Sequence, residues 1–200
     1  MPKLIDHEHR REEIAEAVWR VILREGVGAV SVRTVAAEAN LAVGSVRHVF
    51  PSKKELLEFS MALVHARARE RVARHTGLHD PRELAEAILH ELLPLDSTRR
   101  AEMELEVAII AETPAHPGLR AIQEEAHRGV RAACHGVLRH LLDRGRVRPD
   151  ADLDAETLRL HALLDGLALH ALTSEGAPEA VAERTTGVLR AHLDSLRPPA

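Results

Sequence analysis

The residues best placed for chemistry lie in one run, Ser31 to Leu57, which reads SVRTVAAEANLAVGSVRHVFPSKKELL. Two short apolar-periodic pieces, around Val32–Ala36 and Ala42–Val49, flank a break at Asn40–Leu41. Two short helices joined by a tight turn let the second one lie in the major groove of a DNA duplex. Helical spacing turns Val46 and Val49 or Phe50 back into a small core, which leaves Val43, Ser45, Arg47 and His48 on the free face. Ala36 and Ala37 allow close helix approach, and Gly44 keeps the start of the second helix slim. This is chemistry of recognition. No nucleophile elbow, phosphate loop or paired-carboxylate motif accompanies it, so no enzyme is expected and no cofactor is called for.

The elements that must position this run are helical. Period-3.6 apolar spacing dominates, and no stretch alternates as a strand for more than a few residues. The pattern predicts a first helix from about His7 to Arg24, with Asp6 as N-cap, Gly26 as its left-handed stop and Ile14, Ala17, Val18, Val21 and Ile22 on one face. Ser31 caps the second helix, and Ser52 with Glu55 has capping-box spacing for a fourth that reaches about His75. Asp80-Pro81 opens a helix ending before Pro94, and further helices are expected over about 97–112, 119–144, 154–173 and 178–196. The fold class is therefore all-α with about nine helices: a three-helix helix-turn-helix domain over 1–53, then a helical domain over 54–200.

Composition fits a folded chain. Of 200 residues 45% are hydrophobic and 29% charged, and no apolar run approaches the roughly 20 residues of a membrane span. The first residues lack the apolar region of a signal peptide, so a cytoplasmic location is expected. The net charge of −4 divides into +1 over 1–56 and −5 beyond, a mild asymmetry. The single cysteine, Cys134, falls in an apolar helical series and reads as a small core residue. Fourteen histidines carry no i, i+4 pair on an unbroken helix; Glu124 and His127 have the spacing of half a di-metal site, without a second copy. No metal is expected.

Over residues 10–57 the chain resembles the tetracycline-repressor (TetR) family: Ile14-x-x-Ala17, Glu25-Gly26, Ser31-Val32-Arg33, Val35-Ala36, Gly44-Ser45-Val46 and Phe50-Pro51-Ser52-Lys53, with Leu56 following. The resemblance implies a homodimeric, all-helical repressor that leaves its operator when a small molecule enters the C-terminal domain. It also implies phosphate contacts from Ser31, Arg33, Thr34, His48 and Lys53, and base-edge contacts from Val43, Ser45 and Arg47. Two positions depart from the family pattern, which has Tyr where this chain has Arg47 and Tyr or His where it has Val49. Arg47 has the chemistry either to bond a guanine edge through two N–H groups or to clamp a phosphate.

The segment Leu163–Leu169 resembles the C-terminal domain of choline-responsive BetI-type repressors, which implies a quaternary ammonium effector. Such cations are held by aromatic faces, and this chain has only Trp19, Phe50 and Phe59. The expectation from its own residues is an aliphatic site drawn from Phe59, Met61, Leu63, Leu92, Met103, Val107, Ile110 and Val130, with Glu112 or His127 as polar anchors. Most of these residues serve equally well as core. The helix over 154–173 is apolar nearly all round in its second half and must be covered on both sides. With the last helix it suits a homodimer formed through about 154–196 as a four-helix bundle. The rival readings are a helical enzyme or carrier, and a dimeric interaction or small-molecule-binding module whose head does not bind DNA.

Overall fold

A computed structural model describes residues 2–114 and 117–199. Among these are nine α-helices and no strand. They are α1 (Pro2–Glu25), α2 (Val32–Glu38), α3 (Val43–Val49), α4 (Lys53–Ala73), α5 (Pro81–His90), α6 (Ser97–Glu112), α7 (Arg120–Asp143), α8 (Leu153–Thr173) and α9 (Pro178–Ser195). Helix α1 starts at Pro2, upstream of the expected His7, so the backbone of Asp6, the expected N-cap, lies inside the helix. Helix α4 stops at Ala73, and a 3-10 turn over Arg74–Gly77 carries the chain on. Part of the expected break at 113–117, Ala115 and His116, lies outside the described residues.

Local chemistry explains most of the boundaries. Gly26, at φ 82°, ends α1 with its N–H on the Ile22 carbonyl at 2.8 Å. Ser31 and Thr34 form a reciprocal cap at the start of α2: the Thr34 N–H donates to Ser31 Oγ at 3.1 Å and the Ser31 N–H to Thr34 Oγ1 at 2.9 Å. The Glu55 N–H donates to Ser52 Oγ at 3.2 Å at the start of α4. Asp80 accepts from the N–H groups of Arg82 and Glu83 ahead of α5, and Asp152 does the same for Asp154 and Ala155 at α8.

The chain forms two compact units. One comprises Met1–Arg67 with Glu104–Glu124, the other Ala68–Met103 with Glu125–Ala200. The core of the first gathers Ile14, Val18 and Val21 of α1, Val35 and Ala36 of α2, Val46 of α3, Phe50, Leu56 and Met61, together with Leu105 and Ile109. The core of the second is built on Leu89, Cys134, Leu138, Leu141, Leu160, Leu164, Leu189 and Leu193. Cys134 is fully buried within it, and burial, followed by the nearby Asp165 charge, pushes its thiol up to about 12. A thiol held protonated in this way is a packing residue.

Candidate nucleic-acid interface

The turn between α2 and α3 is made by Asn40 in the left-handed region, at φ 54°, where its short polar side chain makes the conformation tolerable. The Leu41 N–H then donates to the Ala36 carbonyl at 2.8 Å. Beyond the turn α3 presents two faces. Val46 and Phe50 are buried and Val49 is half-buried, while Val43, Gly44, Ser45, Arg47 and His48 are exposed. A Cβ added at Gly44 would meet no described residue within 4 Å, so the helix surface there is open.

The cations of this unit fall into two groups. Arg20 donates through Nε to Glu38 Oε1 at 2.7 Å, and Arg24 through Nη1 to Glu38 Oε2 at 2.8 Å; together they clamp α1 to α2. Hydrogen bonds from Arg20 and Arg24 hold the Glu38 carboxyl below its usual value. Lys53 turns inward and donates to the carbonyls of Val27 at 3.1 Å and Gly28 at 3.4 Å. Arg11 lies over the rings of Phe59, at 4.4 Å, and Phe50, at 5.0 Å, and Arg67 lies 4.9 Å over Trp19 while pairing with Glu16. Arg33, Arg47 and His48, in contrast, are exposed, and no described residue pairs with them.

The expected DNA-contacting residues are therefore placed unequally. Val43, Ser45, Arg47 and His48 share the outer side of α3, and Arg33 stands exposed on α2. The Ser31 and Thr34 side chains are used in the cap, where Thr34 Oγ1 also donates to the Ala29 carbonyl at 2.8 Å, and Lys53 is used in the 3-10 turn. The Glu38 clamp and the arginine–aromatic stacks escaped sequence reasoning. Their partners lie 14 or more residues apart, beyond the reach of any local spacing signal.

The residues expected around an effector divide between the units. Phe59, Met61, Leu63, Val107 and Ile110 belong to the first, where Met61 is core and Phe59 packs 5.2 Å from Phe50. Met103, His127 and Val130 belong to the second, where Met103 and Val130 pack against its core. Val107, Ile110 and His127 are exposed. His127 stacks on the buried His161 with ring centroids 4.4 Å apart, and His161 Nε2 lies 3.7 Å from Asp165. Burial holds His161 below the ordinary histidine value; Asp165 opposes the shift, while His127 and Arg131 add to it. Among the described residues no three His, Cys, Asp or Glu side chains are grouped to hold a metal ion. Arg71 bonds both oxygens of the buried Glu102 and also Glu91, which accepts from His75 as well. This network too went unread in the sequence.

Helix α8 buries Leu160, Leu164, Leu167 and Ala168, yet leaves Leu158 at 63% and Leu169 at 53% exposed; Val188 of α9 is 47% exposed. Between α8 and α9 runs a groove of about 480 Å³ lined by Ala162, Gly166, His170, Val181, Arg184 and Val188, among others. No helix among the described residues is long and apolar enough to cross a membrane.

Residues 14–58 match the family described as bacterial regulatory proteins, tetR family, and residues 81–198 match BetI-type transcriptional repressor, C-terminal. The chain is 37% identical over 199 residues to the HTH-type transcriptional regulator PksA of Bacillus subtilis, covering 98% of this chain and 94% of that one. It is 30% identical over 191 residues to the regulator BetI of Paraburkholderia xenovorans, covering 92% and 93%. A transcriptional regulator of Saccharomonospora viridis, solved in complex with choline, superposes with a TM-score of 0.79 at 25% identity, over 94% of this chain and 96% of that one.

Proposed function

The chain belongs to the TetR family of bacterial transcriptional regulators, with a BetI-type C-terminal region, and on that footing we propose that it represses transcription as a homodimer on a palindromic operator. The head, 1–53, reads DNA, and the body, 54–200, senses a small molecule and dimerises in the cytoplasm. The outer face of α3 carries this reading: Val43, Gly44, Ser45, Arg47 and His48 are exposed over a helix whose other side is core. Arg33 and His48 contact phosphates, with the backbone at the capped start of α2 beside them. The apolar groups left exposed on α8 and α9 make the self-complementary patch of a two-fold dimer.

The effector is an apolar small molecule and not a quaternary ammonium ion. A quaternary ammonium needs open aromatic faces. Here Arg67 lies over Trp19, and Arg11 over Phe50 and Phe59. A ligand that favours a body shape with a different head spacing weakens operator binding, and a coupling of about 1–3 kcal/mol is enough for a clear switch. Deleting the gene should raise transcription from its operator-bearing promoter; an unchanged or lower level contradicts repression. A broad screen in which only choline or betaine released the DNA would contradict the effector class.

A further inference from the structure

The two groups of cations on the head permit a narrower reading of α3, one that rests on the proposed DNA binding. Successive helical residues are turned by about 100°. This places Gly44 near the middle of the exposed arc, with Arg47 about 60° to one side and Val43 about 40° beyond it. No described residue comes within 4 Å of a Cβ built on Gly44. The backbone can therefore approach a groove floor most closely there, which carries the neighbouring Arg47 to the depth of the base edges. Val43 points the same way with 41% of its surface exposed. An apolar side chain on a DNA-facing arc has no partner among phosphates, whereas the thymine methyl in the major groove offers one. Among the described residues no carboxylate holds Arg47, in contrast to Arg20 and Arg24, which are spent on Glu38. Its planar fork matches O6 and N7 of guanine.

We infer that Arg47 is a specificity-determining residue that bonds a guanine in each half of the operator, with Val43 on the methyl of a nearby thymine. The two side chains stand one helical turn apart, about 6 Å along the axis, so the two base pairs are separated by one or two steps of about 3.4 Å.

The test is selection of binding sites from a randomised duplex library by the full-length protein and by Arg47→Ala, Arg47→Lys and Val43→Ala. Equilibrium binding at several salt concentrations follows on the selected sites. The wild type should enrich one guanine per half-site, and replacing that guanine should weaken binding about 5- to 150-fold. Arg47→Ala and Arg47→Lys should both lose that preference, while Arg47→Lys, which keeps the charge but not the fork, keeps the wild-type salt dependence. Val43→Ala should relax the choice only at the nearby thymine. All these side chains are exposed, so thermal midpoints should stay at the wild-type value. Retention of the guanine preference in the Arg47 variants, with uniform weakening on every duplex, would make Arg47 a phosphate clamp and overturn the inference. Selection of no palindrome by the wild type would instead overturn the DNA-binding reading beneath it.

Discussion

Lys53 Nζ donates to the carbonyl of Val27 at 3.1 Å, so the first residue of α4 ties down the 3-10 turn that leads into α2. A charged donor added to a carbonyl that already accepts from the Val30 N–H at 3.1 Å contributes about 1 kcal/mol after exposure to solvent is allowed for. Lys53→Met should lower the unfolding free energy by about that amount in urea titrations. It should leave the salt dependence of operator binding unchanged; a slope smaller by about one would place Lys53 on a phosphate instead.

Gly44 is a helical residue with open space around it. Alanine there relieves the entropic penalty of glycine, worth up to about 1 kcal/mol. Gly44→Ala should therefore raise the unfolding midpoint and at the same time weaken operator binding, since the added methyl stands between backbone and groove. Unchanged affinity would move the DNA away from this face.

The head was largely legible in the sequence because its signals are local. Ser31 and Ser52 cap within three residues of themselves, Gly26 stops α1 at its own φ, and the apolar spacing of α3 separates Val46 from Arg47. The links between helices were not legible. Glu38 meets Arg20 and Arg24, and Trp19 donates to the Ser60 carbonyl at 3.1 Å, across separations that no window of periodicity spans. The start of α1 was missed for a different reason: Asp6 has the chemistry of a cap, yet the helix had already begun at Pro2. In the body an aliphatic stripe reads alike whether it is packed or lines a hollow, so the sequence alone does not separate core from ligand contact at Met61, which is buried, or at Phe59, which packs against Phe50.

His161 is buried against His127 and Arg131 of α7, with only Asp165 of its own helix favouring its charged form. Its folded pKa is depressed, so the unfolded chain takes up the proton first. The stability it contributes is fully present above the ordinary value of 6.5 and is lost as pH falls through that value. His90 and His192, also depressed chiefly by burial, act in the same direction. The urea midpoint should drop between about pH 7.5 and pH 5.5, and less steeply in His161→Gln. An equal slope in the variant would mean that His161 does not carry the pH dependence.

Leu169 is 53% exposed on α8. In a two-fold dimer through these helices, Leu169→Glu would bury an unpaired charge in each protomer. Self-association should weaken by more than about a hundredfold, as measured by analytical ultracentrifugation, with operator affinity falling alongside. A variant that remains dimeric places the interface elsewhere.

In the proposed dimer two copies of α3 read one operator together, and the direct test is nuclease footprinting on the DNA upstream of the gene. A protected palindrome is expected, with half-site centres about 34 Å apart along the duplex and protection lost in Arg47→Ala. Absence of any protected region, even at low salt where non-specific binding is strongest, would contradict it.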